Sequence, residues 1–208
     1  MWELAKEEYP PDKIDHFFYL IIYLTAFYGL LHLLTHLLNL CFNNKRYFKL
    51  SKEKQGEYRG QAAGPIHATS SVVCAVLTVW YVCPDGKTPF NDDHCFNTPR
   101  YLHIWALVNT CGYFVFDTIN IMVLINTYTT YYKQMLGHHF ISLTIFMGTL
   151  AFMNWTVVFG VMMLMIELST TYICIRWLLY THKQHRGICN SINATCIFFA
   201  FFFTRMIY

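Results

Sequence analysis

The sequence predicts an all-α membrane protein, a bundle of about six transmembrane helices with its N-terminus outside. Three observations carry that prediction. Of its 208 residues 55% are hydrophobic and only 13% charged, where a soluble domain carries about a quarter charged residues. The charges sit in short stretches between long apolar runs, which places the runs in lipid. Lysine and arginine also alternate between the two sides of the membrane. The net charge of +3 is small, and no basic face interleaved with aromatics suggests a nucleic-acid partner.

The apolar runs fall at about 16–42, 63–83, 103–126, 138–153, 156–181 and 189–208. A span needs roughly 20 residues at 1.5 Å rise, and helices alone satisfy the backbone of such separate spans in lipid. The fourth run is short, and Asn154-Trp155 reads as the turn into the fifth. The Phe-rich stretch IFFAFFFTRMIY reads as a last span that runs to the final residue. Residues 1–15 form an extramembrane segment and 16–208 a single transmembrane domain. The first segment, MWELAKEEYPPDKIDHF, resembles neither a signal peptide nor an Arg-rich transit peptide, so insertion relies on the first apolar run.

Orientation follows from basic residues. The 43–62 segment holds Lys45, Arg46, Lys49, Lys52, Lys54 and Arg59, and the same side adds Lys133, Lys183 and Arg186. The opposite side offers Lys6, Lys13, Lys87 and Arg100. Nine against four, strictly alternating, puts the 43–62 segment inside. Of eight cysteines, six fall in or beside apolar runs, where a free thiol packs as a small hydrophobe. Cys83 and Cys95 share the polar outer loop, on the side where disulfides form. Their placement leaves a bridge and a pair of free thiols both open.

Ionisable groups within a span are costly and mark sites by default. Here their depths converge. His32 and His36, His67, Asp117, His138 and His139, Glu167, and Asn190 and Asn193 all fall toward the inner half of their spans. Helical spacing places Tyr113, Asp117 and Asn120 on one face, His138 with Ser142, and Glu167 with Thr171 and Cys174. A single intramembrane histidine is as readily a packed polar residue as a ligand. An adjacent pair is harder to bury, because two imidazoles at one depth need several partners. A di-iron site would need more clusters of imidazole or carboxylate ligands than His32, His36, His138 and His139 supply, so no metal is expected.

The stretches EYRGQAAGPIHATSS (57–71), GYFVFD (112–117), LGHHFISL (136–143), ELSTTYICIRWLL (167–179) and FFFTRM (201–206) resemble the TLC-domain family, in order and at its spacing, over roughly 20–208. The resemblance is greater to the small uncharacterised TLC-domain proteins than to the ceramide synthases. It implies a bundle of six or seven helices around a lipid-sized cavity. In the ceramide synthase branch a paired histidine helps transfer an acyl group from acyl-CoA to a sphingoid base. By that resemblance His138 and His139 are the paired histidine, Asp117 the acid of the Gly-Tyr-x-x-x-Asp motif, and His67 the histidine of the second span. The synthases' His-Asp and second Asp are absent, since Glu167-Leu-Ser-Thr-Thr stands there, and Ser142 replaces their threonine.

Three functions follow. The first is a protein that binds membrane lipid or sets lipid composition, with His67, Tyr113, Ser142, Glu167 and Thr171 around the lipid. The second is an acyltransferase that needs no cofactor and takes acyl-CoA as a substrate, with His138, His139 and Asp117 as catalytic groups. The third is a structural subunit of a larger membrane assembly, its acidic N-terminus and Phe-rich end serving as contacts. The family resemblance implies the endoplasmic reticulum, and the third reading the mitochondrial inner membrane. In either lipid reading the headgroup enters from the inner side. Its tails run past Val73, Leu77, Val79, Phe146, Leu150, Val158 and Met162 of the outer half. An anionic phosphate or CoA group would meet Lys45, Arg46, Lys49, Lys52 and Lys54. The positive-inside rule accounts for those lysines equally well.

Overall fold

A helix that crosses a bilayer must be long, apolar on its lipid face, and tied to its neighbours through the other face. The computed structural model describes residues 2–10, 15–126, 129–184 and 186–204, and five of its helices meet the first two conditions. They are α1 (Asp15–Cys41), α2 (Lys52–Trp80), α3 (Tyr101–Ile119, continuing in π-turns to Ile125), α4 (Thr130–Phe152) and α5 (Trp155–Thr181). A sixth apolar helix, α6 (Ile188–Phe202), has 15 residues and is shorter than the others. Exposed Trp80, Tyr81 and Trp155 ring one end of the bundle and Tyr131 and Tyr180 the other. Such amphipathic rings sit at the two membrane boundaries.

Two helices begin earlier than their apolar runs. α2 starts at Lys52, and α4 at Thr130. The 43–62 segment is therefore mostly helix, and its connecting part shrinks to a short turn around the helix Lys45–Phe48. The cause is visible locally. Ser51 Oγ accepts from Lys54 N and Thr129 Oγ1 from Tyr132 N, and such caps hold a helix start among polar residues. Between α4 and α5, Met153 takes the left-handed conformation at φ 47° and Asn154 Oδ1 accepts from Thr156 N. That is the tight turn expected at Asn154-Trp155.

Central packing is made by α3, which touches α1, α2, α4 and α5. Gly56, Gly60 and Gly64 lie buried at four-residue spacing along α2, a small-residue stripe that lets backbones approach. At Gly112 on α3 a Cβ would stand 2.7 Å from Leu24 Cβ and 3.3 Å from the Ile21 carbonyl. α1 is thus packed directly onto the backbone of α3. Within α5 a 3₁₀ turn, Leu164–Glu167, separates an outer segment Trp155–Met163 from an inner one Leu168–Thr181. The outer segment packs on α2, α3 and α4, whereas the inner one packs on α2 and α6.

The end opposite the basic connection is closed by a disulfide. Cys83 and Cys95 are bonded with Cα atoms 5.8 Å apart, and the Phe96 ring stacks on Trp155 at 6.1 Å. The N-terminal segment is laid on this loop through Tyr9 N to the Pro99 carbonyl and Tyr101 N to the Glu7 carbonyl. A crowded glycine gives a direct check on the α1–α3 contact. Gly112→Ala should lower stability by about 1–3 kcal/mol, read as a fall in melting temperature in detergent. An unchanged melting temperature would show that α1 is not packed as described.

Candidate functional site

Below the middle of the bundle, toward the basic connection, α2 to α5 enclose a cavity of about 400 Å³. Its polar wall comes from one face of each helix. α3 contributes Tyr113, Asp117 and Asn120, the i, i+4, i+7 set legible in the sequence. The π-turns that follow Ile119 carry the same wall on through Ile121 and Ile125; such turns are rare and gather at functional sites. α4 brings His138 and His139, and α5 brings Glu167, Thr170 and Cys174. Two glycines make room. A Cβ at Gly60 would lie 2.8 Å from Asn120 Nδ2, and one at Gly64 would lie 2.9 Å from Cys174 Sγ.

Asp117 is the polar centre. Asn120 Nδ2 donates to its Oδ1 at 3.4 Å, and His139 Nε2 stands 3.6 Å from its Oδ2. The second distance is too long for a hydrogen bond and leaves the imidazole and the carboxyl side by side. Phe114 stacks on His139 at 5.0 Å and on Phe146 at 6.3 Å, roofing the cavity. His139 Nδ1, Asn120 Oδ1 and Gln61 Oε1 are buried without a hydrogen-bond partner. Native structures rarely leave such atoms unpaired. All three belong to residues that line the cavity.

The floor is a clasp that the sequence did not reveal. Glu57 is 8% exposed, and its Oε1 accepts from Trp177 Nε1 at 2.8 Å while its Oε2 accepts from Lys54 Nζ at 2.5 Å. One carboxylate thereby ties α2 to α5 at the end of the cavity nearest the basic connection. The sides are different. Tyr131 and His138 on α4 and Ile173 on α5 all line the cavity and are exposed. The mouth therefore lies between α4 and the inner segment of α5, at the level of lipid chains.

Several expected members lie elsewhere. His67 is fully buried and stacked on Tyr113 at 4.2 Å, so the Tyr113 ring separates it from the cavity. Ser142 lies one turn past His139, beyond the Phe114 roof, and does not reach the wall. Thr171 is off the wall as well; Thr170 takes its place, because the cavity lies on the Ile166, Thr170, Ile173, Cys174 side of α5. None of the seven outer-half residues assigned to lipid tails lines the cavity. Leu150 and Val158 are instead packed core at 1% and 0% exposure. His32 and His36 belong to a separate cluster around Arg59, and Arg176 lies 5.6 Å over the Tyr180 ring. Among the described residues no group of three or more His, Cys, Asp or Glu is placed to hold a metal ion.

Glu57, Gln61 and Tyr132 were hidden by their neighbourhood. All three stand in stretches read as polar connections, where the capping residues Ser51 and Thr129 were the signals that helix had already begun. A TLC-domain profile matches residues 59–208, well over half of the chain and every helix of the cavity. The chain belongs to the TLC-domain family. No curated protein and no solved structure gives a match. In this TLC-domain protein α1 precedes the matched segment and is joined to it through the Gly112 contact. The clasp can be tested by itself. Trp177→Phe keeps an aromatic ring in a smaller side chain and leaves Glu57 Oε1 without its donor, which should cost at least about 1–3 kcal/mol of stability. A loss near zero in thermal unfolding would show that the clasp does not hold α2 to α5.

Proposed function

We propose that this integral membrane TLC-domain protein binds a single lipid, its headgroup in the Asp117–His139 cavity and its tails leaving sideways between α4 and α5. The observation that carries this reading is the pairing of an acid-lined, partly unpaired polar wall with a mouth that faces lipid. The Glu57–Trp177 bond across α2 and α5 obstructs the route by which a water-soluble ligand would enter between those helices from the basic end. The packed outer half argues against tails running through the bundle. Among the described residues three carboxylates, Glu57, Asp117 and Glu167, line the cavity, and no lysine or arginine does. A neutral or cationic headgroup suits such a wall, and the phosphates of CoA do not.

The same geometry weighs against acyl transfer. Neither ring nitrogen of His139 is open to a substrate, since Nε2 is turned to Asp117 at 3.6 Å and Nδ1 is buried. A general base must reach the proton that it takes. A disulfide at the 83–95 loop supports an oxidising compartment on that side, and hence an N-terminus outside. In the endoplasmic reticulum membrane implied by the family, that side is the lumen.

Two measurements separate binding from catalysis. Thr170→Phe, which fills the cavity near its mouth, should lower the lipid that co-purifies with the protein by about tenfold, since closing the site removes its contacts. His139→Ala should lower it less, because one polar partner is worth about 1–2 kcal/mol. Acyl transfer by the purified protein from acyl-CoA to a long-chain base, abolished in His139→Ala, would replace the binding reading with the catalytic one.

A further inference from the structure

Outside the cavity, on the α1 side of the basic end, a guanidinium lies among neutral partners. Arg59 Nε donates to His32 Nε2 at 3.2 Å. Its Nη1 donates to Tyr47 Oη at 2.7 Å and lies 3.4 Å from His36 Nδ1, which is itself 2.8 Å from Tyr47 Oη. His32 and Tyr47 are buried, at 6% and 1% exposure, and Arg59 is half-buried. Accepting from Arg59, His32 Nε2 carries no proton of its own, so this cage orients the guanidinium without cancelling its charge. Glu57, nearby on α2, is committed to Lys54 and Trp177. A charge within a membrane-spanning helix ordinarily finds a counter-charge, and among the described residues none of the contacts of Arg59 supplies one.

The surroundings add charge of the same sign. Lys45, Arg46 and Lys49 flank Tyr47 in the sequence and are exposed, as is Lys52 at the start of α2. Arg46 is fixed in place by donating to the His182 carbonyl. If these residues served only to set topology, a mobile, solvated set would suffice. Three buried or half-buried aromatic and imidazole side chains arranged to aim one arginine are not needed for that. Guanidinium groups present several parallel N–H donors that match phosphate oxygens.

We infer that the corner built on Arg59, Tyr47, His32 and Lys45–Lys49 binds a phosphate group, and that its source is an anionic phospholipid of the leaflet at the basic end. It is a second site, of opposite charge preference to the cavity and on the other side of α2. The lipid would bridge α1 to the 42–51 turn and so add to the hold on the helix that precedes the matched domain.

The full chain, released from phosphatidylcholine vesicles that contain a minor fraction of phosphatidylglycerol, can be analysed by native mass spectrometry. Wild type should retain phosphatidylglycerol above its share in the vesicle. Arg59→Gln should lower that retention about fivefold or more, the scale of one lost basic contact at an anionic surface, and Arg59→Lys should lower it less. Thr170→Phe in the cavity and Lys87→Gln at the opposite end should leave it unchanged, which separates this site from the lipid of the cavity. If Arg59→Gln does not fold, the double variant Lys45→Gln with Lys49→Gln, both exposed, reads the same loss. Displacement of the lipid by added pyrophosphate would support the phosphate site while assigning it to a soluble phosphoryl ligand. Equal phosphatidylglycerol retention in wild type and the Arg59→Gln or double variant would overturn it, as would an equal loss in Lys87→Gln.

Discussion

The carboxylate of Glu57 decides what kind of cavity this bundle has. Grasped by Trp177 from one side and Lys54 from the other, it joins α2 to the inner segment of α5 at the depth where the bundle would otherwise open to water. α5 packs on α2 along its whole length but on α4 chiefly along Trp155–Met163, so its lower half stands away from α4. The 3₁₀ turn at Leu164–Glu167 is the point at which α5 leaves α4. One indole hydrogen bond to a carboxylate braced by Lys54 thus holds α2 to the half of α5 that has parted from α4.

Burial fixes the rest of the site. In hydrocarbon a polar side chain either finds a partner or is expelled. Asp117 has Asn120 and His139 as neighbours, and the atoms left over belong to residues that line one space. The aromatic layer of Phe114 and Phe146 keeps that space from extending toward the disulfide end. Two charge environments then lie on either side of α2, an acid-lined cavity toward α4 and α5 and an acid-free corner toward α1. Residues four apart on a helix share a face, and residues two apart do not. Glu57 and Gln61 face the first environment and Arg59 the second.

Much of this was legible from the residues alone. The apolar runs, the turn at Asn154, the face made by Tyr113, Asp117 and Asn120, and the gathering of polar groups at one depth all follow from periodicity and transfer cost. Helix starts at Lys52 and Thr130 were not, because the polar residues that precede each apolar run hide a helix that extends beyond the lipid. Depth could not tell a residue on the wall from one behind it. His67 and Tyr113 lie at the same level, and only the stacking of one ring on the other, 4.2 Å apart, shows which of them meets the cavity. Ser142 and Thr171 were assigned by spacing from true wall residues, but spacing does not say where a roof falls or which flank of a helix faces the space.

The claim on which everything else rests is that a lipid occupies this cavity through the gap between α4 and α5. A photoactivatable lipid with its reactive group beside the headgroup, incorporated into membranes holding the full protein, tests it most directly. Cross-links should concentrate on residues 135–139 of α4 and 166–174 of α5, and fall sharply in Thr170→Phe. Labelling spread over the lipid-facing surface of α1 and α6, unchanged by that substitution, would contradict it.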